Sequence, residues 1–75
     1  MKTLSECKID HKVKVLKLNA SKELKQRLIS FGIMRGTTAE ILKYAPGRST
    51  MEIKVGKMKI ALRTQEANLI EVETI

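Results

Sequence analysis

The chain's seventy-five residues make a single domain, residues 1–75, and a domain this small buries only about 60% of its unfolded surface, which excludes a deep enclosed active site. One cysteine excludes an intramolecular disulfide, apolar runs no longer than three residues exclude a spanning helix, and the polar start Met1-Lys2-Thr3-Leu4-Ser5-Glu6 excludes a signal peptide, so the expected location is the reducing cytosol. Fifteen Lys and Arg against eight Asp and Glu leave a net charge of +7, but the lysines are scattered and Phe31 and Tyr44 are the only aromatics, so nucleic acid is not expected as the main partner.

Along the chain, Lys12-Val13-Lys14-Val15 alternates at period two, which puts both valines on one face of a strand. Leu16 and Leu18 continue in the opposite phase, and that slip predicts a bulge or bend. After Asn19 and Ser21, either able to cap, Leu24, Leu28 and Phe31 recur at helical spacing, predicting a helix of about three turns. Gly32 stands where a left-handed residue closes such a helix, and Gly36 where a turn needs positive φ.

Thr37 to Tyr44 then reads as a strand rich in β-formers, and Ala45-Pro46-Gly47-Arg48-Ser49 as a loop. Met51, Ile53 and Val55 alternate with Glu52 and Lys54, and Met58, Ile60 and Leu62 with Lys59 and Ala61. The intervening Gly56-Lys57 suits a two-residue hairpin. Thr64 to Asn68 reads as one helical turn before a last strand carrying Ile70 and Val72. Five strands with so few residues bury their inner faces only by curling up, so the expected fold is mainly β: a small SH3-like five-stranded barrel with one short α-helix inserted after the first strand.

The stretches "LKQRLISFGIMRGTTAEILKYAP" at 24–46 and "IALRTQEANLIEV" at 60–72 resemble the ferrous iron transport protein A (FeoA) family, through Arg27-Leu28, Gly32-Ile33, Gly36, Ala61-Leu62-Arg63 and Glu66-Ala67. The resemblance spans residues 4 to 73. It departs from the family pattern at Arg35, where a proline usually precedes the turn glycine, and at Ala45 to Thr50, a loop that usually carries an acid. It implies an SH3-like cytosolic accessory protein, peripheral to the membrane, that binds the cytoplasmic part of the G-protein-containing ferrous iron permease FeoB. The same barrel occurs at the C-terminus of iron- and manganese-dependent repressors.

The stretch Glu6-Cys7-Lys8-Ile9-Asp10-His11 crowds four ligand-type side chains together, yet a structural metal site needs about four convergent donors, and no second Cys or His follows. Cys7 and His11 are therefore the candidate metal ligands of a chain expected to hold no cofactor. Two copies meeting at a symmetry axis are what would complete such a site, and self-association is expected to be weak. As a nucleophile and base the same pair lacks an orienting third group and a cleft, so no enzyme activity is expected. No phosphate-binding loop motif is present.

For partner binding the expected residues are Leu24, Leu28, Ile29 and Met34, a mixed packing and docking region, with Arg35, Lys22, Lys25 and Arg27 supplying charge toward an acidic surface. Arg63 and Glu66 are expected to pair across the turn after the fourth strand. Two other classes stay open: a basic barrel of the ribosome-associated kind, and a metal-sensing domain related to iron-dependent repressors.

Overall fold

A computed structural model describes residues 2–75. Strand β1 (Lys2–Thr3) leads through a short 3-10 turn (Leu4–Glu6) to β2 (Lys12–Leu18), helix α1 (Lys22–Ser30) and β3 (Thr38–Tyr44), and after a turn at Pro46–Arg48 come β4 (Thr50–Val55), β5 (Met58–Arg63), the short helix α2 (Thr64–Ala67) and β6 (Ile70–Thr74). The six strands form one antiparallel sheet in the order β1-β6-β2-β3-β4-β5. The five expected strands are all present, and the two-residue β1, which pairs with Glu71 and Val72 of β6, is the sixth.

Val13, Val15, Ile41, Met51, Ile53, Ile60, Leu62, Ile70 and Val72 come from five strands but share one core, so the sheet is curled around its own inner face. The slip read at Leu16 is a bulge. Val15 faces Val72 and Lys17 faces Glu71, leaving Leu16 unopposed. The extra residue resets the phase, so Val15 and Leu18 both turn inward while Leu16 is 41% exposed.

Helix α1 begins where Ser21 Oγ accepts a hydrogen bond from the Leu24 N–H at 3.3 Å, with Glu23 in the positive first turn. It ends at Phe31, and Gly32 follows with φ +88°. A Cβ there would meet only Val55 Cγ1, at 3.8 Å, so it is the backbone angle that calls for glycine. At the β4–β5 hairpin Val55 faces Met58 across Gly56-Lys57, and Gly56 takes φ +61°.

Leu28 is the one side chain that α1 commits fully to the core, with Leu24 and Phe31 half-buried against it. Leu28→Ala is expected to cost about 2–5 kcal/mol of unfolding free energy, read as a lowered urea midpoint with unchanged slope. Met34→Ala, at an exposed position, is expected to change it by less than about 0.5 kcal/mol.

Candidate functional site

The β2 bulge, α1 and the turn after it meet in an open groove of about 640 Å³. Its apolar part is Leu16 from the bulge, Ile29 from the helix and Met34 from the turn, above Leu18. Leu16, Ile29 and Met34 are 41%, 41% and 43% exposed, three apolar side chains grouped in one groove, the kind of surface that partner sites use. Lys17, Lys25 and Arg35 line the same groove and give it a cationic rim.

The turn that carries Met34 and Arg35 is held firmly. Thr37 Oγ1 donates to the Gly32 carbonyl at 2.9 Å and accepts from the Met34 N–H at 3.1 Å. Gly36 N–H donates to the Val15 carbonyl, and Val15 N–H to the Thr37 carbonyl, both at 2.8 Å, tying the turn to β2 just before the bulge. The apolar surface is therefore presented by a fixed backbone, which limits the entropy lost when a partner binds.

Ile29, Met34 and Arg35 of the expected partner-binding residues lie together here. Leu28 does not: it has no exposed surface and serves the core, because it projects to the inner side of α1 while Ile29 turns outward. Leu24 is half-buried and lies beside Ser21, Glu23, Arg27 and Glu66, away from the groove. Lys25, expected to supply charge toward a partner, lines the groove too, while Leu16 and Lys17 complete it and were not among the expected contacts. The phase slip was their signal, since a bulge in a half-buried strand puts one apolar side chain on the wrong face.

The stretch around Cys7 resolves into a structural corner. Cys7 is 1% exposed and its thiol lies 3.5 Å from the Thr3 carbonyl, whereas His11 lies at the surface. No group of three or more His, Cys, Asp and Glu side chains converges among the described residues. Burial pushes the Cys7 thiol above its ordinary pKa. Glu6 turns back on Thr3, whose backbone N–H and hydroxyl both donate to its carboxylate at 2.9 Å and hold it below the usual range. Tyr44 closes the corner by donating its hydroxyl to the Ser5 and Cys7 carbonyls, under the Arg48 guanidinium 4.0 Å from its ring centre.

The expected pair of Arg63 and Glu66 takes another form. Glu66 Oε1 accepts the backbone N–H of Arg63 at 3.0 Å, capping α2, and Oε2 meets the Arg27 guanidinium at 3.4 Å. One carboxylate thus fastens α1 to α2. With Arg27 58% exposed, the ion pair itself contributes at most about 1 kcal/mol.

Residues 2–74 match the model of the FeoA domain. This chain belongs to the FeoA family. It is 36% identical over 73 residues to a protein of Campylobacter jejuni named for Fe(2+) transport as transport protein A, covering 97% of this chain and 99% of that one. The solution structure of the FeoA protein from Chlorobium tepidum superposes with a TM-score of 0.94 at 28% identity, over 99% of this chain and 70% of that one. A manganese-dependent transcriptional repressor shares the fold at 16% identity and a TM-score of 0.89, over 99% of this chain and 41% of the repressor. Membership assigns this FeoA-family chain a role in ferrous iron uptake.

Because the raised pKa leaves less thiolate at neutral pH and the sulfur is buried, Cys7 is expected to be alkylated by iodoacetamide far more slowly in the folded chain than in urea. Comparable rates, followed by mass spectrometry at pH 7.5, would show an open N-terminal corner.

Proposed function

We propose that this chain is a cytosolic, non-enzymatic accessory protein of ferrous iron uptake whose Leu16-Ile29-Met34 groove docks on the cytoplasmic part of a FeoB-type permease. The observation that carries the reading is the groove itself: three exposed apolar side chains on a rigid backbone, ringed by Lys17, Lys25 and Arg35. Apolar anchors in a desolvated centre supply most of an interface's affinity, while rim charges mainly speed encounter and choose the partner's sign. The fitting surface on the permease is an apolar ridge flanked by carboxylates. No helix among the described residues is long and apolar enough to cross a membrane, so in this reading the chain reaches the bilayer through its partner.

Docking modulates transport only if the groove binds one assembly or nucleotide state of the permease more tightly than another, since equal affinity shifts no equilibrium. Nucleotide hydrolysis, where it matters, then belongs to the partner.

Capture of the permease from solubilised membranes of the native host, at moderate salt, tests the proposal. The unaltered chain is expected to retain it, Leu16→Asp and Met34→Asp to lose at least about tenfold in affinity with the fold intact by circular dichroism, and Lys25→Glu to slow association with little effect on dissociation. Undiminished capture by both aspartate variants would overturn the groove as the docking face. Recovery of RNA or ribosomal proteins alone would overturn the function.

A further inference from the structure

The sheet ends on one side in β1, only two residues long, and on the other in the six-residue β5. A two-residue loop closes the β4–β5 hairpin between Val55 and Met58, so Met58, Ile60 and Leu62 exchange their backbone hydrogen bonds with β4. The N–H and C=O groups of Lys59, Ala61 and Arg63 therefore point away from the sheet. Glu66 takes the Arg63 N–H at 3.0 Å and closes that end of the row. Lys59 and Ala61 are exposed, and no turn or loop hydrogen bond among the described residues reaches their backbone.

The side chains of this edge divide by face. Lys59, Ala61 and Arg63 point outward, and Lys59 stands directly opposite Lys54, a like-charge pairing that destabilises a ladder. Lys54, Lys59 and Arg63 make no ion pair among the described residues, while Glu52, the acid opposite Ala61, is engaged by Lys43 at 4.0 Å. On the other face Met58 shares the inward register of Ile60 and Leu62. Those two are buried, but Met58, at the tip of the edge, is 53% exposed.

We propose that β5 is a docking edge for an extended, acidic segment of a partner protein, added antiparallel as a further strand. Backbone bonds to Lys59 and Ala61 hold the segment, carboxylates opposite Lys59 and Arg63 answer the unpaired cations, and an apolar residue opposite Met58 covers it. Lysine on an edge guards against indiscriminate pairing, and here the guard selects by charge. A second copy joined by the same edge about Ala61 would set Lys59 of each chain against Arg63 of the other, so the charge disfavours self-pairing. The edge lies three strands from β2 and its groove, so it stands whether or not the permease docks as proposed above.

The probe is the acetylated, amidated peptide Glu-Val-Thr-Val-Glu-Leu, titrated into the full chain and followed by amide hydrogen exchange and nitrogen-proton NMR. In the free chain the Lys59 and Ala61 amides are expected to exchange faster than those of Ile60 and Leu62. The peptide is expected to slow and shift the first pair. Replacing both glutamates by lysine, or methylating the backbone nitrogens of the threonine and the second glutamate, is expected to abolish this. Lys59→Glu is expected to weaken binding at least about fivefold. Ala61→Pro removes only an outward N–H, so it is expected to keep the fold by circular dichroism and lose the peptide. Met34→Asp is expected to leave peptide binding unchanged. No protection at Lys59 and Ala61, equal binding of the lysine peptide, or undiminished binding of the methylated one would overturn the added strand. Protection that rises with protein concentration alone would reassign the edge to a second copy.

Discussion

The bulge at Leu16 lets a chain of this size satisfy two demands that conflict along one strand. Strand β2 lies between β3 and β6, pairing with each over part of its length, and must supply inward side chains from Val13 to Leu18. Strict alternation would bring Val13, Val15 and Lys17 inward and leave Leu18 in water. One unopposed residue resolves this and strengthens the local twist, which a curling sheet needs in any case. The cost is an apolar side chain on the outside. Leu16 thus ends up beside α1 for a reason that begins in the core, and the groove is a by-product of closing the sheet.

Helix α1 is attached in a way that fits this arrangement. It commits Leu28 to the core, takes its start from Ser21 and its end from Gly32, and is fastened at its outer side by Arg27 to the carboxylate of Glu66. Each attachment is modest alone, but they act at different points of the helix. Lys25 and Ile29, one turn apart, are left free of structural duty and line the groove. A helix more deeply buried would give more stability and leave less surface to offer.

Much of this is legible in the sequence where local physics is strong. The alternation from Met51 to Leu62 around Gly56-Lys57, the capping position at Ser21, the glycine at 32 and the phase slip at Leu16 each have one cheap solution, and the fold takes it. What is not legible depends on residues distant in the chain. Two residues of β1 have no periodicity to read, and they become a strand only because β6 offers an edge. A helical wheel leaves both Leu28 and Ile29 plausible as anchors until the position of the sheet decides which faces inward. Glu66 stands three residues from Arg63, so the local pairing looks sufficient, but the helical turn uses the carboxylate to cap a backbone N–H and leaves its other oxygen for Arg27. Cys7 and His11 are close in sequence and part in space because Tyr44 draws the Cys7 backbone into a corner while the chain reverses at Asp10, with φ 72°.

The apolar core also bears on how such a protein would exert control. Its buried side chains are hydrocarbon or sulfur throughout the described residues, close-packed and without a titrating group that cellular pH would switch. A domain built this way holds no buried charge whose titration would rearrange its core, so in this reading discrimination between states rests on the partner. A partner with two arrangements of one cytoplasmic face, only one of which fills the groove, would be biased by the full difference in binding free energy between them. Rigidity makes that difference large, because a surface that cannot adapt loses its contacts when the complementary ridge moves. The small size and simple core of the chain are in that sense suited to an accessory role, in which selectivity comes from an unchanging template.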